Sequence, residues 1–369
     1  MNSRARPAIW LISDGNPGHY DQSLAVAEAL QRVGYGDIIW VQARQRIRGF
    51  VRPLVASLIQ ATRGGLPAWL EGAIHDFPEG RPTGRPGLIL SSGGKTAFLN
   101  VLLARRLGCA NVFIGPPPDL STRQFTVVLH AEEDVAGDNR ITMDYLPTRL
   151  NPAKAALAGA DFVREKGLVG RRLACMLLGG NSRSHHYTEE DWRALAQGMN
   201  VLAERFGLAW LLTTSRRTGA EAEAILHDTL DPAHVADATW WGSAPRPVVI
   251  PYLGAADVAF CTQDSLTMLS EAIASGRPVF ALYPEALRHD ALESSFNERF
   301  LDANCAAARL VKVPVKALES CNLAADALAG TFRPVTTDIM QDTIAALLDW
   351  LRQPGEAPNP TTRQERQVG

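Results

Sequence analysis

Short apolar runs alternate with amphipathic stretches along the whole chain, and their lengths predict parallel strands separated by helices. In the first half, residues 8–13, 38–41, 112–114 and 126–129 read as strands, as does the start of LILSSGGKTAFLNVLLARRLG (88–108). Helical patterns fill the gaps, one over 22–33 closed by Gly34 and one in the second part of 88–108. The series from 8 to 145 therefore reads as one doubly wound domain. A helix over 151–166 leads into a linker, and at Leu173 the alternation begins again. There a strand and a glycine loop precede Thr188 as a helix cap, a long amphipathic helix closed by Gly207, and a strand over 208–213. Residues 337–351 form a further amphipathic helix, and the polar, proline-bearing stretch 353–369 has the composition of a disordered tail.

The most informative unit is 256–282, ADVAFCTQDSLTMLSEAIASGRPVFAL, a strand, loop, helix, turn and strand in sequence. Asp264 or Ser265 can accept from the free amides that open the helix, and Gly276 with Pro278 can end it. At about 100° per residue, Leu266, Leu269 and Ile273 share one side while Asp264, Thr267, Glu271 and Ser275 gather opposite. That polar face stands beside the carboxyl end of a strand, where open α/β sheets bind ligands and a carboxylate can accept from vicinal sugar hydroxyls. A merely solvated helix face is the alternative.

Glycine-bearing loops follow strands in both halves. SDGNPGH (13–19) carries Gly15, Asn16, Pro17 and Gly18, which alone fit an ordinary tight turn, and His19, placed to act as a general base ahead of a helix. In the second, Ser92, Gly93, Gly94, Lys95 and Thr96 suggest a phosphate loop, but Ile89 stands where the NTPase pattern requires its first glycine, so that reading is rejected. Gly179, Gly180, Asn181 and Ser182 can receive a diphosphate on backbone amides. Arg216 and Arg217, on a loop after the next strand, either bind phosphate or are solvated. His185 and His186 are neighbours that point apart, which argues against a metal pair.

Residues 44–70 mix Arg44, Arg46, Arg48, Arg52 and Arg63 with Phe50, Leu54, Leu58 and Trp69. This pattern suits an anionic membrane surface or an amphipathic acceptor, and equally a core helix with a solvated basic side. At 369 residues the chain predicts two domains, and 46% hydrophobic with 21% charged residues is the make-up of a folded soluble protein. The net charge of -2 argues against nucleic acid as the main partner. Five scattered cysteines without a CxxC pair predict reduced thiols in a cytoplasmic protein and no structural zinc. The apolar run near the start is too short for a signal peptide, and no later one approaches a membrane span.

Two doubly wound domains with glycine loops resemble the GT-B fold of nucleotide-sugar glycosyltransferases, in which such domains face a central cleft. SDGNPGH, SSGGKTAFLNVLLARRLG, LLGGNSR and the segment from 264 to 278 resemble four motifs of the N-acetylglucosaminyltransferase that completes the second lipid intermediate of peptidoglycan synthesis. Over about 10–350, SDGNPGH, the GGN loop, TTSRRT and DSLTMLSEAIASGRPV resemble more closely the plant mitochondrial-fission family named for elongated mitochondria. The likeness extends to that family's bacterial, glycosyltransferase-like branch. Asn16-Pro17 departs from the more glycine-rich acceptor loop of the peptidoglycan enzyme, so the acceptor need not be the same.

The resemblance implies sugar transfer from a nucleoside diphosphate donor, a UDP-sugar above others, to a hydroxyl of a glycan or lipid-linked acceptor. Glu271 would bind the ribose with Asp264, Ser265 and Thr267 nearby, and Gly179, Gly180, Asn181, Ser182, Arg216 and Arg217 would meet the diphosphate. His19 would be the base, with Asp14 positioning the acceptor or its partner. Gly15, Asn16, Gly18, Ser92, Gly93, Gly94 and Lys95 would line the acceptor side. The chain contains no Asp-x-Asp, which favours a metal-independent arrangement with no cofactor beyond the donor. The expected layout is an acceptor-side domain over 1–150 to which helix 336–352 returns, a hinge near 150–170 and a donor domain over 165–330. A cytoplasmic site is expected, at or near the inner face of a membrane. A nucleotide-sugar 2-epimerase and a non-catalytic membrane or division scaffold remain as alternatives.

Overall fold

The computed structural model describes residues 7–47, 49–62, 68–130, 138–285 and 291–352. The chain divides into two compact units, residues 1–149 with 340–369 and residues 150–339. The tail at 353–369, Arg48 and Arg63 lie outside the described residues.

The first unit contains β1 (Ile9–Ser13), α1 (Pro17–Arg32), β2 (Ile38–Gln42), β3 (Arg44–Gln45), α2 (Arg52–Ala61), α3 (Ala68–Ile74), β4 (His75–Asp76), β5 (Leu88–Ser92), α4 (Ala97–Leu107), β6 (Ala110–Ile114), β7 (Val127–His130) and β8 (Arg140–Thr142). Six of these strands make a parallel sheet in the order β2-β1-β5-β6-β7-β8. β1 and β5 are buried at every position, as strands covered on both faces must be. β3 and β4 pair antiparallel in a separate ribbon.

Two details depart from the sequence pattern here. α1 begins at Pro17 rather than Gln22, because proline's fixed φ suits the first helical turn, and this carries His19 into that turn. β8 is only three residues long, too short for its alternation to register. Within 44–70, α2 buries Ala56 and Ile59 and exposes Leu54 and Leu58, while Phe50 before it and Trp69 in α3 are also exposed.

The second unit runs α5 (Pro152–Glu165), β9 (Arg172–Leu177), α6 (Glu189–Phe206), β10 (Leu208–Thr213), α7 (Ala220–Thr229), β11 (Val235–Thr239), α8 (Val249–Ala255), β12 (Val258–Thr262), α9 (Leu266–Ala274), β13 (Val279–Tyr283), α10 (Ala291–Ala306), β14 (Leu310–Pro314) and α11 (Ala325–Thr331). Its six strands are parallel in the order β11-β10-β9-β12-β13-β14. The final helix, α12 (Gln341–Arg352), belongs to the first unit and packs on α1 and β8.

α6 starts as its sequence suggests: the Thr188 hydroxyl accepts from Asp191 N, and the Asp191 carboxylate accepts from Thr188 N at 2.9 Å. Gly207 ends it in the left-handed conformation at φ 60. The core of this unit includes an aromatic chain in which Trp210 meets Phe260 at 5.3 Å, Phe260 stacks on Phe280 at 4.8 Å, and Phe280 meets Phe332 at 5.1 Å. Trp210 donates its indole N–H to Met199 O at 2.9 Å, so its burial leaves no polar atom unpaired.

Candidate functional site

Each sheet has one place where the strand order reverses, between β1 and β5 in the first unit and between β9 and β12 in the second. Ligands of open α/β sheets bind at the carboxyl ends of the strands there, where the flanking loops diverge. The four glycine and acidic loops singled out by sequence follow these four strands.

In the second unit the loops after β9, β10 and β12 are tied into one structure. Gly179 N donates to Thr262 Oγ1 at 2.7 Å, and Gly180 N donates to Asp264 Oδ2 at 3.0 Å. Ser215 Oγ donates to Gly179 O at 3.0 Å, and Thr218 Oγ1 donates to the same carbonyl. Such close packing requires glycine: a Cβ on Gly179 would lie 2.1 Å from Asp264 Oδ2, and one on Gly180 would lie 2.1 Å from Arg217 O. Both glycine amides are thus turned inward, contrary to the expectation that they would be open to a ligand. The Asn181 side chain also acts within the loop, accepting from Tyr187 N at 2.8 Å.

Asp264 does not cap α9, as its position had suggested. Its side chain is fully buried beneath the glycine loop and holds Arg217 Nη2 at 2.7 Å. Ser265 occupies the N-cap position of α9 without a side-chain cap bond, and Ser275 turns into the core, donating to Ala272 O at 2.6 Å. Thr267 and Glu271 are half-buried on α9. Burial pushes the Asp264 carboxyl up to about 6, against the opposing pull of Arg217, Thr262 and the Gly180 N–H. At neutral pH it is therefore a carboxylate that fixes Arg217. The guanidinium uses Nη2 on Asp264, leaving Nε and Nη1 without a partner among the described residues. Arg216 is exposed and likewise unpartnered among them. Two cations at one strand end can receive an anion.

In the first unit, Asp14 Oδ2 lies 3.3 Å from His19 Nδ1, and Asp14 Oδ1 accepts from Asn16 N at 3.0 Å. Burial raises the Asp14 carboxyl, but the His19 hydrogen bond, the Asn16 N–H and the charges of His19 and Lys95 outweigh it and leave the group below its ordinary value. An ionised carboxylate can only accept, so Nδ1 is the donor, and whenever the ring is in its neutral form Nε2 carries the lone pair. With 37% of the His19 side chain exposed and 4% of Asp14, the imidazole can reach a substrate while its partner is sheltered. That is the geometry of an oriented general base.

The β5 loop is shaped around this pair. Gly93 has φ 85, and a Cβ there would lie 2.2 Å from His19 Nδ1; one on Gly94 would lie 2.5 Å from Pro118 Cγ. Gly15 has φ 80 and donates its N–H to Ser13 Oγ at 3.1 Å, whereas Gly18 meets no such constraint. Ser92 Oγ lies 3.5 Å from Gln22 Oε1, and Lys95 and Asn16 are exposed.

Two residues of this site escaped the sequence reading. Arg52, placed by pattern on a basic outer strip, turns inward and donates to Gly94 O at 3.1 Å, Gln45 Oε1 at 2.8 Å and Asp119 Oδ2 at 2.9 Å. His75, buried and pushed down to about 4 by that burial, places Nε2 3.3 Å from Lys95 O. No local signal marks either residue, because their partners other than Gln45 lie 20 or more residues away.

Two doubly wound domains, each with glycine-bearing loops at its switch point, have the architecture of the GT-B fold. The chain belongs to the mitochondrial fission ELM1 family, whose profile matches residues 17–331. The uncharacterized protein RP120 of Rickettsia prowazekii is 24% identical across 76% of this chain and 85% of its own length. Among solved structures, the fold is similar to one from Listeria monocytogenes assigned as a UDP-N-acetylglucosamine 2-epimerase, at TM-score 0.56 and 13% identity over 96% of this chain and 99% of that one. The UDP-GlcNAc 2-epimerase of Neisseria meningitidis bound to UDP-GlcNAc matches at TM-score 0.52 and 12% identity, covering 93% and 99%. MurG of Acinetobacter baumannii matches at 0.42 and 14%, covering 85% and 89%.

Proposed function

We propose that the protein is a metal-independent glycosyltransferase moving a sugar from a nucleoside diphosphate sugar, a UDP-sugar by preference, to an acceptor hydroxyl on a glycan or lipid-linked molecule. The observation that carries this reading is the division of chemistry between the units: an oriented imidazole base on Asp14, and a glycine loop locked to an arginine by Asp264. In this mechanism His19 Nε2 takes the acceptor proton as the acceptor oxygen bonds to the anomeric carbon. The bond from that carbon to the diphosphate oxygen breaks, and the electron pair leaves with the diphosphate. Arg217 and Arg216 stabilise the charge that develops there, in the role a metal plays elsewhere. Glu271 accepts from the ribose hydroxyls, with Thr267 and Ser265 beside it, and Gly15, Asn16, Gly18, Ser92, Gly93, Gly94 and Lys95 form the acceptor side.

The UDP-GlcNAc held by the Neisseria enzyme supports a uridine donor on this fold. A thermal-shift screen with UDP, GDP, ADP and CDP tests the reading, with a rise in melting temperature expected for UDP and abolished in Glu271→Ala. A flat response to all four nucleotides would defeat it.

A 2-epimerase is the second reading, since two epimerase structures match with TM-scores above 0.5. Turnover of UDP-GlcNAc to its epimer without any acceptor would select it. The exposed row of Phe50, Leu54, Leu58 and Trp69 supports peripheral contact with the cytoplasmic face of a membrane. Loss of sedimentation with anionic vesicles in a Phe50→Ser, Leu54→Ser, Trp69→Ser variant is the expected result.

A further inference from the structure

The loop after β9 contains a histidine whose protonation pattern is dictated by its neighbours. Ser182 Oγ accepts two backbone N–H groups, from Ser184 at 3.3 Å and His185 at 3.1 Å, so both its lone pairs are taken. Its proton is left for Ser184 Oγ, 3.3 Å away. Ser184 Oγ also accepts from Asn297 Nδ2 at 3.4 Å, which fills its own acceptor sites. The single Ser184 proton therefore goes to His185 Nδ1 at 3.0 Å. A neutral imidazole that accepts at Nδ1 carries its hydrogen on Nε2. Burial first, and the charge of Arg217 second, push His185 down to about 4, so the ring is neutral at physiological pH.

His185 is 4% exposed, and its Nε2–H has no acceptor among the described residues. Nε2 itself is not fully enclosed, so this donor can meet a partner that arrives from outside. The charge that acts on it is the Arg217 cation, which holds Asp264 through Oδ2. A donor set beside a cation selects an oxyanion. We propose that His185 is a ligand-binding residue that donates from Nε2–H to a diphosphate oxygen of the nucleotide, with Ser182, Ser184 and Asn297 acting as the positioning chain that sets its tautomer. This assignment rests on the nucleotide reading above.

Isothermal titration at pH 7.5 with UDP, GDP, ADP and CDP separates the two. If the unaltered protein binds none of them, the nucleotide reading falls and takes this assignment with it. If it binds UDP and His185→Ala binds UDP within twofold of the same affinity, this assignment alone falls. The expected result is a loss of about tenfold or more for His185→Ala. Ser184→Ala, which removes less of the core and only frees the tautomer, should lose several-fold. Inorganic phosphate titrated alone should bind weakly and lose the same contact; tight binding of phosphate at the expense of UDP would make the site a free-phosphate site instead. On the unaltered protein, the ¹⁵N shifts of His185 should show a protonated Nε2, and a protonated Nδ1 would overturn the assignment without any variant.

Discussion

His19 and His185 stand after the first strand of their respective units, and their surroundings give them opposite roles. His19 meets a carboxylate, which can only accept, so its Nδ1 donates and its Nε2 is left as a base. His185 meets a serine whose acceptor sites are full, so its Nδ1 accepts and its Nε2 is left as a donor. The former is 37% exposed at the side chain, while the latter is almost wholly buried. The same side chain at equivalent topological addresses is thus left with an accepting nitrogen in one unit and a donating one in the other. What decides is the hydrogen-bond capacity of the atom on Nδ1.

The strongest way to break this comparison is to remove the base. His19→Ala should lower kcat by about 10²–10⁴-fold while leaving nucleotide affinity unchanged, measured by sugar transfer and by titration. Gly93→Ala should act through the same pair, since its Cβ would displace the His19 ring from Asp14 without touching the core.

The next effect is structural and confined to the second unit. Gly179→Ala drives a methyl group into the buried Asp264 carboxylate, so a loss of about 3 kcal/mol in urea unfolding is expected. Retention of full stability would show that the loop is not locked as described.

Asp264 provides a pH test. Its folded value, raised to about 6 against an ordinary 3.8, means the folded protein holds a proton that the unfolded chain releases between these values. Stability from this group is therefore greatest below pH 4 and declines as pH rises to 6, by about 2–3 kcal/mol. Asp264→Asn should abolish that slope in urea unfolding measured from pH 4 to pH 7. Asp14 has the opposite sign: its depressed value contributes stability above its ordinary range that is lost as pH falls.

The smallest effect is expected at Gly18. A Cβ there comes no closer than 3.8 Å to Asn16 Oδ1, so Gly18→Ala should change stability by less than about 0.5 kcal/mol. Set beside Gly179→Ala, it separates a glycine required by close packing from one that stands in the first turn of α1 with room for a side chain.

Much of the architecture was legible in the chain. Continuous apolar runs such as 9–13 and 88–92, separated by amphipathic helices, leave little choice but parallel strands buried on both faces. The capping of α6 by Thr188 and its closure by Gly207 were equally readable, because a cap and its partner lie within one helical turn. The glycine loops were recognisable as well, and strand polarity placed them at the carboxyl edge. What the sequence could not determine was which atoms those loops would satisfy. Asp264 looked like a cap for its own helix, yet it serves Gly180, 84 residues earlier. Arg52 looked like a surface cation, yet it holds Gly94 from 42 residues away. The tautomer of His185 depends on Asn297, 113 residues from Ser184. Periodicity and capping report on neighbours within about one turn, and so they determine the elements. Hydrogen-bond partners brought together by the strand order are decided only when the sheet closes, and on those partners the chemistry of this protein depends.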